Sequence, residues 1–242
     1  VAKRENFIDL SLLEFCLRED LNPKALRVMA VLEPLKLIID NYEDGKVEEM
    51  ESENGPDESL GKRSLPFSKE LWIEREDFME QPAKKWFRLA PGAMVRLKSA
   101  YIVKCESFVK DADGNVTEIH CTYIPESRSN NDTSGISVKG TIHWVSAAHA
   151  VTAEVRLYDR LFTVENPLGE EGDFKDTINP NSLQVINNAM VEPSLKLATA
   201  ESRYQFIRKG YFCLDKDSTD DKLVFNRTVT LKDAWAKEVK KN

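Results

Sequence analysis

VKGTIHWVSAAHAVTAEVRLYDRLF, residues 138–162, is the stretch that decides the fold class of this chain. It contains two runs rich in β-branched and aromatic residues, 140–146 and 151–158, with small residues between them. Runs of this length and composition are typical of β-strands, and small residues suit the turn between them. The stretch therefore predicts two successive strands in a fold built mainly from β-structure.

Similar runs lie on both sides of this stretch. Residues 94–109 and 116–124 alternate apolar and polar side chains around the turn sequence DADGN, which predicts a β-hairpin. Further strands are predicted at 28–42 with an interruption at Pro34, at 211–215 and at 223–229. Many short strands separated by turn-rich loops favour a barrel or a sandwich over a parallel sheet. The predicted fold class is mainly β.

The first 27 residues follow a helical pattern instead. Ser11 and Glu14 have the spacing of a capping box, and the apolar residues that follow share one helical face. The helix should end near Asn22, because Pro23 comes next. Asn22 as a cap and Pro23 as a first helical residue then predict a second short helix that ends near Arg27.

Charge is unevenly distributed along the chain, whose net charge is −7. Residues 43–60 contain eight acidic residues and one basic residue, with little apolar content, which predicts a long hairpin loop or a mobile segment. Residues 83–109 contain six basic residues and one acidic residue. Because affinity for phosphate comes from Lys and Arg that displace counterions, this segment is compatible with local nucleic-acid contact. On its own, the pattern favours a solvated strand face.

Several kinds of chemistry lack support in the sequence. The four cysteines show neither the CxxC spacing of a zinc site nor the density of a disulfide scaffold. His143 and His149 could meet around a turn, but three histidines are too few for a metal centre, and structural roles are expected. No phosphate-binding loop, nucleophile elbow or zinc-protease helix is present. Without a secretory signal or an apolar run of about 18 residues, a soluble cytoplasmic protein with no membrane partner is expected.

Five pieces of the chain form an ordered series: VLEPLKLIIDNY (31–42), GKRSLPFSKELWIEREDF (61–78), the opening stretch with its KGTIHWVSAAHA and VRLYDRLF parts, YQFIRKGYFCLD (204–215) and VFNRTVTLKDAWAK (224–237). Together they resemble the anticodon-binding region of the class I glutaminyl-tRNA synthetase family. The resemblance covers nearly the whole chain.

This resemblance implies an architecture that the strand pattern leaves open. It implies two antiparallel β-barrels, a proximal one from residues 28–84 and 161–242 and a distal one from 85–160. A helical remnant at 1–27 would link them to a catalytic domain. Because the HIGH-like and KMSKS-like motifs of that domain are missing, we expect a C-terminal piece of a longer ligase. The ligase would attach glutamine to its tRNA using ATP and magnesium, whereas this piece would bind the anticodon loop without a cofactor or catalysis.

The resemblance also implies roles for individual residues. Arg27, Gln205 and Arg208 stand where the family contacts the middle anticodon base, and Asn22 joins the implied RNA contacts. Arginine suits this task because its planar fork donates two hydrogen bonds and also stacks on bases. In the acidic segment only Asn54 resembles a family contact, and no role is carried over to it.

The remaining implied contacts lie in the basic segment. Arg88 matches the family's arginine at the third anticodon base, and Arg96 matches the one at the first. Lys85 stands where the family often has glutamine, and Phe87 stands where lysine is common. The third-base pocket therefore either uses stacking by Trp86 or Phe87 in place of a hydrogen bond, or Phe87 belongs to the core.

Two other functions compete with this reading. Glutamyl-tRNA synthetases of the archaeal and eukaryotic type share the barrels, although IHWVSAAHA and YQFIRKGYF favour the glutaminyl enzyme. The second competitor is a non-catalytic β-barrel module that binds a protein partner through its acidic segment. The leading prediction is an anticodon-reading monomer whose partner is glutamine tRNA.

Overall fold

The computed structural model describes residues 10–169 and 171–232, and β-structure dominates within them. One α-helix, α1, spans Leu10–Leu21. The strands are β1 (Leu26–Val28), β2 (Ala30–Val31), β3 (Pro34–Ile39), β4 (Glu48–Glu53), β5 (Lys62–Phe67), β6 (Glu70–Glu74), β7 (Met94–Leu97), β8 (Ile102–Lys110), β9 (Val116–Ile124), β10 (Thr141–Ile142), β11 (Trp144–Ser146), β12 (Val151–Tyr158), β13 (Leu183–Val191), β14 (Arg203–Phe206), β15 (Gly210–Leu214) and β16 (Leu223–Val229).

The strands form two seven-stranded, nearly closed barrel-shaped sheets, which confirms the predicted fold class. Sheet I has the order β1-β14-β15-β16-β12-β13-β2, and sheet II has the order β10-β7-β8-β9-β3-β6-β11. β4 and β5 pair separately as a two-stranded ribbon. Each sheet encloses its own apolar core, with Phe206 and Phe225 fully buried in sheet I and Trp144 and Phe67 in the core of sheet II.

Strand pairing divides the chain differently from the predicted proximal and distal barrels. β3 and β6 lie within residues 28–84, yet β3 pairs with β9 and β6 pairs with β11, all in sheet II. β12 lies within residues 85–160, yet it pairs with β13 and β16 in sheet I. The chain passes from sheet I to sheet II after β2 and returns to sheet I after β11; the β4–β5 ribbon is inserted between β3 and β6 of sheet II. Residues 1–9 and 233–242 of the predicted divisions lie outside the described residues.

The predicted second helix near Arg27 is wrong. α1 ends at Leu21 as expected, but the backbone N–H groups of Lys24 and Ala25 both donate to the carbonyl of Leu21, which closes a turn. Arg27 then enters β1, where its residue partner is Gln205 of β14. Pairing with a distant strand therefore outweighs the local helix signal.

The acidic segment was predicted as a loop, but it contains β4. Along this strand Met50 and Ser52 are buried while Glu49, Glu51 and Glu53 are exposed. The acidic side chains therefore occupy the solvent face of a paired strand. Lys62 and Arg63 of β5 lie opposite Glu53 and Ser52 and bring cations to the same ribbon.

Candidate nucleic-acid interface

Arg27 and Gln205, which are 178 positions apart, form a side-chain pair in sheet I. They are register partners in the parallel strands β1 and β14, and Arg27 Nε donates to Gln205 Oε1 at 3.0 Å. Both side chains are partly buried. Within the described residues, the two terminal nitrogens of Arg27 have no hydrogen-bond partner. Gln205 therefore fixes the Arg27 guanidinium through Nε and leaves Nη1 and Nη2, the outer fork, available to donate hydrogen bonds to a ligand.

Two further cations lie near this pair. Arg27 donates its backbone N–H to the Asn54 carbonyl at 2.8 Å, and Arg63 Nη1 donates to Asn54 Oδ1 at 3.4 Å. The pKa of Lys98 is lowered by burial and by the positive charges of Arg27 and Arg63, against an opposing effect of Glu53. The Lys98 ammonium has no ion-pair partner among the described residues. We call Arg27, Arg63 and Lys98 the basic corner.

Sequence reasoning missed Arg63 and Lys98. Lys98 belongs to the basic segment of the sequence but lies in the turn after β7, so its charge was its only signal. Arg63 lies outside that segment. Its Nε and Nη2 donate to the two carboxylate oxygens of buried Glu192 at 2.6 and 2.8 Å, a contact between the ribbon and sheet I.

Arg208 lies in the tight turn between β14 and β15 and is engaged by a carboxylate. Its Nη2 and Nη1 donate to the two oxygens of Asp77 at 2.6 and 2.7 Å, and Asp77 is fully buried. The backbone of Arg208 has φ = 68°, a left-handed conformation that costs a residue with a Cβ on the order of 1 kcal/mol. Burial lowers the pKa of Arg208, but its contacts with Asp77 outweigh that effect and raise it.

Arg88 contacts the same carboxylate. Its Nε lies 3.3 Å from Asp77 Oδ1, and its Nη1 donates to the Glu76 carbonyl at 3.0 Å. The guanidinium carbon lies 5.6 Å from the centre of the Trp86 ring, within the range of a cation–π contact. Arg88 and Arg208, expected at different bases, therefore share one acid.

Arg96 is held by the loop that follows β9. Its Nη1 donates to the Ser127 carbonyl at 2.7 Å, and its Nη2 forms an ion pair with Asp132. Arg96 is partly buried and lies in β7 between the buried residues Val95 and Leu97. The predicted alternation is confirmed, and the structure adds an acidic partner that the sequence did not indicate.

The other predicted contacts lie at the surface. Lys85 is exposed, with a left-handed φ of 68°. Asn22 is exposed, and its Oδ1 accepts a hydrogen bond from the Tyr211 hydroxyl at 3.4 Å. Phe87 is 49% exposed, and Lys139 Nζ lies 5.1 Å from its ring centre, so the alternative of a core Phe87 is wrong.

His143 lies at the centre of the contacts between the two sheets. It is fully buried, and its Nε2 is 2.9 Å from the Ala30 carbonyl and 3.4 Å from Glu74 Oε1. Burial raises the pKa of Glu74, but the His143 hydrogen bond, the charges of His143 and Lys209 and the Leu32 N–H together lower it to about 2. These contacts give His143 the structural role expected for it.

No metal centre or membrane span is found within residues 10–169 and 171–232. No three His, Cys, Asp or Glu side chains there are grouped to hold an ion. No helix in the same ranges is long and apolar enough to cross a membrane. The partly buried cations remain the clearest candidate site.

Two family models match the chain, one over residues 25–124 and the other over 141–215. Both are described as the anticodon-binding domain of the class I tRNA synthetases for E and Q. The chain belongs to this family of anticodon-binding domains. Membership confirms the resemblance seen in the sequence and gives the basic corner a setting within an anticodon-binding domain.

Relatives of this anticodon-binding domain agree on one enzyme name. Proteins named glutamine–tRNA ligase are 57% identical in Vibrio parahaemolyticus, 55% in Rhodopirellula baltica and 53% in Salmonella newport. Each alignment covers 98% of this chain and 43%, 40% and 43% of the respective relative. The chain thus spans less than half the length of these relatives. Their names favour the glutaminyl over the glutamyl alternative.

Proposed function

We propose that the chain binds the anticodon loop of glutamine tRNA and is the anticodon-reading part of a glutamine–tRNA ligase. Family membership and the names of the relatives support this proposal. The complete ligase would join glutamine to its tRNA using ATP and magnesium in the cytoplasm. The chain itself would bind RNA as a monomer and hold no cofactor.

The Arg27–Gln205 pair is the observation that carries the proposal. Proteins read RNA sequence chiefly on unstacked loop bases, through hydrogen bonds to base edges and stacking on planar groups. Gln205 fixes the Arg27 guanidinium through Nε, so less side-chain entropy is lost when the outer fork meets a base. Lys98, which has no ion-pair partner among the described residues, adds positive potential that attracts the RNA backbone. We assign this pair to the middle anticodon base.

The other predicted contacts would complete the reading of the anticodon. Arg208 would join the middle-base site, Arg88 and Lys85 the third-base site, and Arg96 the first-base site. The three arginines already have protein partners, so they would use the N–H groups that those partners leave over. Asn22 would contact RNA beside Tyr211.

We further propose that sheet I is the proximal barrel and sheet II the distal one. Arg27, Gln205 and Arg208 come from sheet I and its turns, whereas Arg88 precedes β7 and Arg96 lies within β7 of sheet II. Base sites would then lie on both barrels. This division differs from the one predicted from the sequence, which gave residues 28–84 and 161–242 to the proximal barrel and 85–160 to the distal one.

Binding of the chain to anticodon stem-loops tests the proposal. We would compare the glutamine stem-loop with one that carries a changed middle base, at two salt concentrations, for the wild type and Arg27→Ala. Lys222→Ala is a matched control that removes a cation far from this pair. Gln205 lies opposite Tyr211, which lies opposite Val229 at the end of β16, whereas Lys222 precedes the first residue of β16. Lys222 is therefore at the opposite end of that strand.

The wild type should prefer the glutamine loop, and Arg27→Ala should weaken its binding about tenfold or more, the usual effect of losing a two-bond base contact. Affinity should fall with salt, and Lys222→Ala should keep the preference. Equal binding of both loops by the wild type would contradict the proposal.

A further inference from the structure

Asp77 is a single buried carboxylate that joins two arginines from different parts of the fold. It ends the short 3-10 turn Arg75–Asp77 that follows β6. Arg208, in the β14–β15 turn of sheet I, takes both of its oxygens at 2.6 and 2.7 Å. Arg88, ahead of β7 in sheet II, approaches Oδ1 at 3.3 Å. One acid therefore connects the two sheets through two cations.

The backbone fixes Asp77 and Arg88 relative to each other. The Asp77 carbonyl accepts from the Leu89 N–H at 2.9 Å, and Phe78 and Leu89 form a β-bridge. Phe78, which follows Asp77, and Leu89, which follows Arg88, are therefore held against each other by backbone pairing. A displacement of the Asp77 carboxylate would then be transmitted to Arg88 instead of being absorbed by a loose loop.

The two arginines depend on this acid for their positions. A charge-assisted pair in which both nitrogens meet both oxygens sets the plane of the guanidinium as well as its location. Asp77 has no exposure to water, so its charge must be compensated by these side chains. If Arg208 moves away, the Asp77 carboxylate turns toward Arg88, its remaining cationic partner, and the orientation of the Arg88 guanidinium changes as a result.

We propose that Asp77 is a positioning residue that couples recognition of the middle and third anticodon bases. This inference rests on the proposed function, in which Arg208 serves the middle base and Arg88 the third. A wrong middle base would displace Arg208, shift Asp77 and thereby spoil the third-base contact of Arg88. A second change at the third base would then cost less than it does alone.

A cycle of four stem-loops tests the coupling: the glutamine anticodon, a change at the middle base, a change at the third base, and both changes. For the wild-type chain, the affinity loss of the double change should fall short of the product of the single losses by a factor of about 3 or more. In Asp77→Asn the losses should multiply. If Asp77 had only a structural role, Asp77→Asn would lower the affinity for all four loops by the same factor. In the wild type, the affinity losses of the two single base changes would then multiply in the double change.

Asp132→Asn is the matched control, because Arg96 is the one arginine that Asp132 pairs with among the described residues, and its loss should leave this coupling unchanged. If Asp77→Asn does not fold, Arg208→Lys replaces it, since a lysine keeps the charge but cannot hold both oxygens.

Multiplicative losses in a wild type that discriminates both bases would overturn the coupling while the anticodon-reading function stands. Coupling that survives in the folded Asp77→Asn or Arg208→Lys variant would also overturn it. A wild type without any discrimination would overturn the proposed function, and the coupling with it.

Discussion

In the basic corner Arg27 is held by the neutral amide of Gln205, whereas Arg208 is held by the buried carboxylate of Asp77. The amide fixes one nitrogen and leaves the positive charge uncompensated. The carboxylate takes two nitrogens and is itself fully buried, so the fold relies on the arginine to compensate its charge. The partner thus decides how strongly the fold depends on each arginine.

The largest expected effect is the loss of stability in Arg208→Ala. The substitution leaves the Asp77 charge buried with only the longer contact to Arg88, which should cost about 3 kcal/mol of unfolding free energy. Chemical denaturation measures this loss. Arg203→Ala, an exposed change in β14, the strand that leads into the Arg208 turn, should stay within about 0.5 kcal/mol. A loss of unfolding free energy below about 1 kcal/mol for Arg208→Ala would contradict our interpretation that the fold depends more on Arg208 than on Arg27.

Acid should weaken the junction between the sheets through Glu74. Its pKa is lowered from 4.5 to about 2 in the folded protein, so its stabilising contribution is complete above pH 4.5 and is lost as pH falls toward 2. The contribution is on the order of 3 kcal/mol.

Denaturation of the wild type and Glu74→Gln between pH 7 and pH 2 measures this contribution. The stability difference between the two proteins should shrink as pH falls. The exposed change Glu126→Gln should show no such trend. A difference that stays constant with pH would exclude Glu74 as the source.

Arg27→Ala should separate binding from stability. Its loss removes one hydrogen bond to a neutral partner, which should cost about 1 kcal/mol or less of unfolding free energy. Denaturation alongside Arg208→Ala gives the comparison directly. Equal destabilisation by the two substitutions would show that the neutral and charged partners are equivalent, against our interpretation.

The smallest effect is expected from glycine at two positions with the same backbone angle. Lys85 and Arg208 both have φ = 68°, a conformation that glycine adopts without the penalty of a Cβ. Lys85→Gly should therefore raise stability by at most about 1 kcal/mol, whereas Arg208→Gly should lower it, because the ion pair outweighs the relief of strain. Thermal unfolding of both variants measures the signs, and equal signs would contradict this account.

Local pattern was enough to predict much of the fold. The 116–124 and 151–158 runs alternate clearly and became β9 and β12. β4 escaped prediction because only Met50 and Ser52 point inward in an otherwise acidic run. β13 escaped because most of its side chains are exposed and so give no alternation. Strands that bury few side chains leave little trace in the sequence.

Some residues of the candidate site were expected from the sequence, but the partners that hold them were not. The resemblance selected Arg27 and Gln205, but no local pattern could show that β1 and β14 lie side by side. Asp77 sits in an ordinary charged run, and its burial follows from packing between sheets that one sequence does not specify. The same holds for Arg63, whose partner Glu192 lies 129 positions away.

The passage of the chain between the sheets has a consequence for the order of folding. Sheet II has all of its strands once Ser146 has been synthesised, whereas sheet I needs β16, which ends at Val229. During synthesis from the N-terminus, sheet II can therefore close while β1 still waits for β14. A chain stopped before residue 203 would contain every strand of sheet II but no Arg27–Gln205 pair, so the proposed base contact could form only after β14 has been synthesised.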